Sequence, residues 1–251
     1  MDRLEELGVT SETPCYAGFD LSMNRDMSAV SLVFDTSTPD KESYVGATKV
    51  WTQEDGLQER VHSDSAPYFD WADKGYLEVM LGHSIRYETI AHYLMFIHRN
   101  FNLQGVAYDK LKAKEVLRYF DDAEVQHVDN FNFPGLYCVP HPQGFAPNTW
   151  DTTKEKPGQC YLWMPNSMTE VERMVFDNLL TFVHNPLMNL SIARTVVKPD
   201  PSGTSRKIGK KSALHTRNDP LVAFTMAAGL TWEMRRLRPI IQDAGKFRMV
   251  L

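Results

Sequence analysis

Residues 15–35 read CYAGFDLSMNRDMSAVSLVFD, and this stretch decides the fold. Its two ends are apolar, and a short polar segment, Met23–Asp26, separates them. Two apolar runs on either side of a polar turn predict a β-hairpin, with strands at Tyr16–Leu21 and Ala29–Phe34. A third strand is predicted at Ser43–Thr52, so the fold opens with an antiparallel meander of three strands.

The elements after the meander alternate between helix and strand. Apolar residues recur at helical spacing through Ile85–Phe101, and the apolar strand Gly105–Asp109 follows at once. Helical spacing returns in Leu111–Phe120, which completes a pattern typical of parallel strand pairs. The predicted fold class is therefore α/β, with a mixed sheet of an antiparallel three-strand meander plus parallel strands, flanked by helices.

The second half of the chain is predicted to begin irregularly. Five prolines lie within residues 130–158, which indicates a long connection. A capping box of Ser167 and Glu170 predicts the start of the next helix. The remaining elements are expected in this order: helix Ser167–Phe182, strand Asn189–Val197, a basic mobile loop about Lys198–Ser212, and helix Pro220–Leu237.

Length and composition favour one folded, intracellular domain. The chain has 251 residues, of which 43% are hydrophobic and 24% charged, far from the signature of disorder. No apolar run is long enough to span a membrane, and the acidic start differs from a signal peptide. Three cysteines without a CxxC pair favour neither a disulfide framework nor a zinc knuckle, and indicate a reducing compartment.

Charge is distributed unevenly along the chain. Residues 1–193 hold 15 Lys and Arg against 28 Asp and Glu, a net −13, whereas residues 194–251 hold 12 against 4, a net +8. Together these give the net charge of −5. A basic final quarter suits contact with a polyanion, and an acidic body suits cation binding. Solvated faces of unequal charge are the alternative.

Three aspartates lie where carboxylates are costly. Asp20 is inside the first strand, Asp109 ends the strand after the first long helix, and Asp219 begins the last helix. An unpaired buried charge costs several kcal/mol, so a cation is the expected partner. Clustered carboxylates suit two Mg²⁺ or Mn²⁺ ions about 3.5–4 Å apart, as in phosphodiester hydrolysis.

Each aspartate also has a structural alternative. Asp20 could accept hydrogen bonds from turn amides, and Asp109 could cap the helix that follows it. Asp219 precedes Pro220, the usual order of a helix N-cap and its first residue. The residues alone leave both interpretations open.

Five motifs in order resemble the nuclease domain of tailed-phage terminase large subunits. They are spread from residue 16 to residue 229 and read YAGFDLSMNRDMSAV, GVAYDKLKAKEVLRYF, QGFAPN, HNPLMNLSIARTVVKPD and RNDPLVAFTMAAG. The resemblance implies a ribonuclease-H-like fold and a two-metal endonuclease that cuts concatemeric viral DNA during packaging. It makes Asp20, Asp109 and Asp219 the catalytic metal ligands, and leaves room for a further acid, Asp26 or Glu115, acting through water. For those two, a surface turn and a solvated helix are the alternatives.

The resemblance also bears on domains and partners. Full-length relatives carry an ATPase domain before the nuclease, but residues 203–212, GTSRKIGKKS, lack the spacing of a phosphate-binding loop. Residues 1–251 are therefore predicted as one nuclease domain with the ATPase domain absent. The implied partners are double-stranded DNA, the packaging ATPase domain, the portal and the small terminase subunit, in the host bacterial cytoplasm and away from membranes.

Basic side chains are the candidate DNA contacts. Cations on a mobile loop would hold the duplex by its phosphates without reading bases, although a solvated loop is the alternative. The candidates are Arg206, Lys207, Lys210, Lys211, Arg217 and Lys112.

Two rival functions remain open at this stage. The segment Gly18–Val30 also resembles the phosphate loop of actin and sugar-kinase nucleotide-binding modules. A catalytically silent docking domain of the packaging motor, with the aspartates as helix caps, is the other rival.

Overall fold

The structure is a computed structural model that describes residues 2–22, 27–109, 113, 115–116, 137–146, 162–210 and 217–247. Its strands are β1 (Pro14–Asp20), β2 (Ser28–Asp35), β3 (Tyr44–Gln53), β4 (Leu77–Met80), β5 (Asn102–Tyr108), β6 (Tyr137–Pro140), β7 (Leu180–Phe182), β8 (Thr195–Pro199) and β9 (Arg206–Lys210). Its helices are α1 (Asp2–Glu5), α2 (Leu57–Asp64), α3 (Tyr68–Asp73), α4 (Tyr87–Asn100), α5 (Met164–Phe176), α6 (Pro186–Arg194) and α7 (Asp219–Phe247).

A mixed sheet forms the centre of the fold, in the strand order β4-β3-β2-β1-β5-β6, with β7 paired to β3. The first three strands are antiparallel, and β5 pairs parallel with β1 and with β6. The predicted meander and mixed sheet are therefore confirmed. None of the helices in the described ranges is long and apolar enough to cross a membrane.

Helices cover both faces of the sheet, which is why every residue of β2 is buried. Alternate side chains of β1 point to opposite faces. Cys15, Ala17 and Phe19 pack in one cluster with the apolar side of α4. Tyr16 packs instead with residues of α5 and α7. Even-numbered positions of β1 therefore face α7, which matters for Asp20.

Helix α7 rests directly on β1 at Gly18. A Cβ atom at this position would lie 2.1 Å from the carbonyl oxygen of Ala223 and 2.7 Å from the backbone nitrogen of Ala227. Only glycine permits such an approach of the two backbones. The contact holds the start of α7 near the carboxyl end of β1.

Three predictions for the second half of the chain are wrong. The helix predicted from Ser167 begins at Met164 and ends at Phe176, and Ser167 is buried inside it rather than capping it. The strand predicted at Asn189–Val197 is helix α6 followed by β8. Asn185 caps α6, because its side chain accepts a hydrogen bond from the Leu187 amide at 2.9 Å.

The basic stretch predicted as a mobile loop about 198–212 is also different. Through residue 210 it belongs to an antiparallel hairpin of β8 and β9, with Val197 opposite Ile208. The turn closes where the Asp200 amide donates to the Ser205 carbonyl at 2.8 Å. Several predicted features lie wholly or largely outside the described residues: the turn Met23–Asp26, most of the helix Leu111–Phe120, and most of the connection 130–158.

Candidate active site

A cleft of about 260 Å³ opens at the carboxyl ends of β1 and β5, beside the start of α7. Asp20, Asp109 and Asp219 all line it. The structure thus brings the three predicted aspartates to one place. Among the described residues, four other polar side chains line the same cleft: Ser22, Gln143, Lys210 and Asn218.

Strand register places the first two aspartates side by side. Phe19 of β1 lies opposite Tyr108 of β5 in a parallel pair, and their rings stack with centroids 5.8 Å apart. Asp20 and Asp109 each follow one member of that pair. Tyr16 and Ala107 both pack on the α7 face, so the alternation of side chains turns both carboxylates to that face as well.

Asp219 comes to the cleft from a helix rather than from a strand. It is the first residue of α7 and only 5% exposed. The amino end of a helix carries a partial positive charge, which favours a carboxylate there. Because α7 rests on Gly18, this carboxylate is held close to the end of β1.

The donor set suits a hard divalent cation. Carboxylate, amide and hydroxyl oxygens are the ligands that Mg²⁺ and Mn²⁺ prefer, and neither a cysteine nor a histidine is among the described residues that line the cleft. Within the described ranges, however, no three His, Cys, Asp or Glu side chains already lie close enough together to hold an ion. Three like charges repel one another, so a cation would be needed to draw the carboxylates into a closed ligand set. Their role as metal ligands stays a prediction.

His141 fixes the chain beside Asp109. Its backbone amide donates to the Tyr108 carbonyl at 2.7 Å, and its ring nitrogen Nε2 lies 2.7 Å from the Ser167 hydroxyl. The side chain is fully buried, and burial lowers the pKa of His141 to about 4. The neutral imidazole therefore joins the end of β6 to α5.

Lowering the pH from 7 to 5 should destabilise the fold by about 2 kcal/mol through His141. At pH 5 the histidine of the unfolded chain, with a pKa of 6.5, is protonated, whereas the folded residue stays neutral. Stability present above pH 6.5 is thus lost as the pH falls towards 4. Urea unfolding at both pH values measures this loss, which should be smaller by that amount in His141→Gln. Equal losses in the two proteins would contradict the assignment.

Basic residues of the hairpin take different positions. Lys210 lines the cleft. The Lys207 ammonium lies 4.6 Å from the centre of the Phe145 ring, and the Arg206 guanidinium donates to Glu172 on α5 at 2.7 Å. Lys211 and Lys112 lie outside the described residues. Lys210 is thus the predicted DNA contact that the structure places beside the aspartates.

Arg217 is not an exposed phosphate contact. It is 6% exposed, and its Nε donates to the carboxylate of Asp64 at 2.9 Å. Asp64 is itself 1% exposed and also accepts a hydrogen bond from the Tyr68 hydroxyl at 2.8 Å. The guanidinium therefore belongs to the interior. Sequence reasoning missed this because the partner lies 153 positions away.

The structure describes one of the two further acids proposed from the sequence. Glu115 is exposed and is not among the described residues that line the cleft, and Asp26 lies outside the described residues. Ser22, Gln143 and Asn218 were missed by the sequence analysis. Gln143 and Asn218 could have been identified as site residues, because they lie inside the motifs QGFAPN and RNDPLVAFTMAAG.

Comparisons with known proteins find terminase large subunits. Residues 11–132 match the family model for the terminase large subunit, endonuclease domain. The chain is 25% identical over 224 residues to the terminase large subunit of Enterobacteria phage HK97, covering 89% of this chain and 38% of that protein. The crystal structure of the HK97 bacteriophage large terminase matches with a TM-score of 0.68 and 24% identity, over 92% of this chain and 43% of that one. The large terminase nuclease from thermophilic phage G20c matches more distantly, with a TM-score of 0.46, 9% identity, and coverage of 86% and 81%. The chain thus spans about two fifths of the length of the HK97 protein.

Proposed function

We propose, on the premise that this chain carries a terminase large-subunit nuclease domain, that it is a metal-dependent endonuclease. Its substrate would be concatemeric double-stranded viral DNA, cut during genome packaging. The observation that carries the proposal is the meeting of Asp20, Asp109 and Asp219 in one cleft, from two neighbouring strands and a helix start.

The three aspartates would hold two Mg²⁺ or Mn²⁺ ions. Such ions, when bound, activate a water molecule for attack and stabilise the leaving oxygen of a phosphodiester. The protein's own part is to fix the carboxylates. Asp20 and Asp109 are held by strand register and Asp219 by the packing of α7 on Gly18.

Lys210 would bring the DNA backbone to the aspartates. Its ammonium group, which lines the cleft, would be the phosphate partner there. The other proposed contacts to the DNA backbone are Arg206, Lys207, Lys211 and Lys112. Contacts to phosphates carry no sequence information, so cutting should have little sequence preference and should weaken as salt rises.

We place this chain as one nuclease domain of a larger packaging machine. The HK97 protein is more than twice as long as the matched region, so residues 1–251 would act together with an ATPase domain. Portal and small terminase subunit are the other proposed partners, and the host bacterial cytoplasm is the proposed place of action.

Divalent ions should both stabilise the domain and activate it. With Mn²⁺ or Mg²⁺ at 100 times its dissociation constant, the free energy of unfolding should rise by about 2.7 kcal/mol for each bound ion, since the ions bind only the folded site. Plasmid nicking should require the ion and stop in EDTA. The melting temperature and the conversion of supercoiled plasmid are the two measurements.

The rival functions give different results in the same experiments. A silent docking domain would show neither the ion-dependent rise in melting temperature nor nicking. A nucleotide-binding module would bind ATP tightly in calorimetry. Absence of nicking with either ion would contradict the nuclease proposal.

A further inference from the structure

Gln143 lies in a segment that the fold holds firmly. It is the third residue after β6. The backbone of His141 is bonded to Tyr108, as described above, and the Pro142 carbonyl accepts a hydrogen bond from the Met164 amide at 3.0 Å. The two residues before Gln143 are therefore fixed to β5 and α5. The backbone position of Gln143 at the edge of the cleft is therefore well defined.

The amide group of Gln143 has a donor that nothing in the described part of the chain satisfies. Its Nε2 atom is buried and has no hydrogen-bond acceptor among the described residues. The large majority of buried side-chain polar atoms are paired in folded proteins, and leaving one unpaired costs about 1–3 kcal/mol. Because the side chain lines the cleft, an acceptor bound there would complete it.

The chemistry of the cleft indicates which acceptor fits. An amide N–H group cannot bind a cation, so Gln143 Nε2 has no use for the ions that the aspartates would hold. An anionic oxygen is its natural partner, and Lys210 supplies a second donor in the same cleft. The lining thus combines carboxylates for cations with two donors for an anion.

We propose that Gln143 is a substrate-contacting residue, whose Nε2 donates a hydrogen bond to a non-bridging oxygen of the phosphodiester being cleaved. This inference rests on the proposed nuclease function and assigns a role to one residue within it. The amide would orient the phosphate between Lys210 and the carboxylates. It would add no charge to the site.

Gln143→Leu removes the donor while keeping a side chain of similar size. Cleavage of a short duplex under single-turnover conditions should fall about 10- to 100-fold, the usual value of a hydrogen bond to a charged group. Duplex affinity, measured in Ca²⁺ to block cutting, should weaken as well. The rise in melting temperature with Mn²⁺ should be unchanged, because the three aspartates that would hold the ions are intact.

Two further variants make the result specific. Gln143→Glu should lose more activity than Gln143→Leu, because a carboxylate repels the phosphate. Gln58→Leu is the matched control and should cut like the parent, since Gln58 is exposed on α2 and bonded to His62.

Cleavage and duplex affinity of Gln143→Leu within twofold of the parent would overturn the inference. So would loss of the Mn²⁺ response, which would make Gln143 part of the ion site. If the parent binds duplex through Gln143 but never cuts it, the contact between Gln143 and a DNA phosphate stands and the nuclease proposal fails. If the parent cuts and Gln143→Leu cuts equally, the nuclease proposal stands and the inference fails.

Discussion

Asp109→Asn should lower metal-dependent DNA cleavage by about 10³-fold or more. A metal ion supplies several kcal/mol of charge stabilisation to phosphodiester hydrolysis, and about 4 kcal/mol corresponds to that factor. Asparagine keeps the size and one oxygen of the side chain but removes the charge. Asp109 follows β5 immediately and lines the cleft beside Asp20. Its replacement should therefore remove one ligand from the proposed ion site.

The stability of metal-free Asp109→Asn should not fall with its activity. Removing one of three like charges relieves repulsion, so the metal-free melting temperature of Asp109→Asn should equal or exceed that of the parent. The rise with Mn²⁺ should shrink. A fall in activity with an unchanged melting temperature separates a functional role from the alternative in which Asp109 only caps a helix, because loss of a cap costs about 1 kcal/mol.

Asp40→Asn is the matched control for this measurement. It makes the same chemical change at an exposed position of the loop between β2 and β3. This variant should cut plasmid at the parental rate. Equal activity of the parent, Asp40→Asn and Asp109→Asn would remove Asp109 from the mechanism. If Asp20→Asn were equally active as well, the cutting would come from a contaminating nuclease.

The first half of the fold could be predicted because its signals are local. Each strand of the meander is an apolar run bounded by polar residues, and a carboxylate at the end of such a run stands out. Asp20 and Asp109 were found in this way. Their meeting follows from strand order, since neighbouring parallel strands bring their carboxyl ends to one edge of a sheet.

The second half of the fold was harder to predict because its sequence signals favour helix and strand at once. Residues 189–197 combine helix-compatible residues with a run of β-branched ones, and the boundary at Arg194 lies inside that stretch. The better signal was Asn185 followed by Pro186, a helix cap and first residue. The burial of Arg217 was missed for a different reason. The sequence shows its charge but not the buried carboxylate of Asp64 that pairs with it.

Asp64→Asn should destabilise the fold by about 3–5 kcal/mol, the cost of leaving a buried charge without its partner. Its carboxylate joins Arg217 and Tyr68 in the interior, and Arg194 lies nearby at 3.9 Å. Burial and the charge of Asp64 raise the pKa of Tyr68, consistent with a closed, poorly hydrated pocket. Urea unfolding measures the change. Asp70→Asn, which breaks the exposed pair with Lys74, should cost less than about 1 kcal/mol.

Replacing both partners separates stability from position. The double variant Asp64→Leu, Arg217→Met should recover most of the lost stability, because apolar side chains of similar volume often substitute for a buried ion pair. Arg217 directly precedes Asn218 and Asp219 in the cleft. If the pair also sets where α7 begins, the stable double variant should still cut DNA more slowly than the parent and need more Mn²⁺. Parental activity at parental Mn²⁺ would show that the pair serves stability alone, and that the packing of α7 on Gly18 is sufficient to place Asp219.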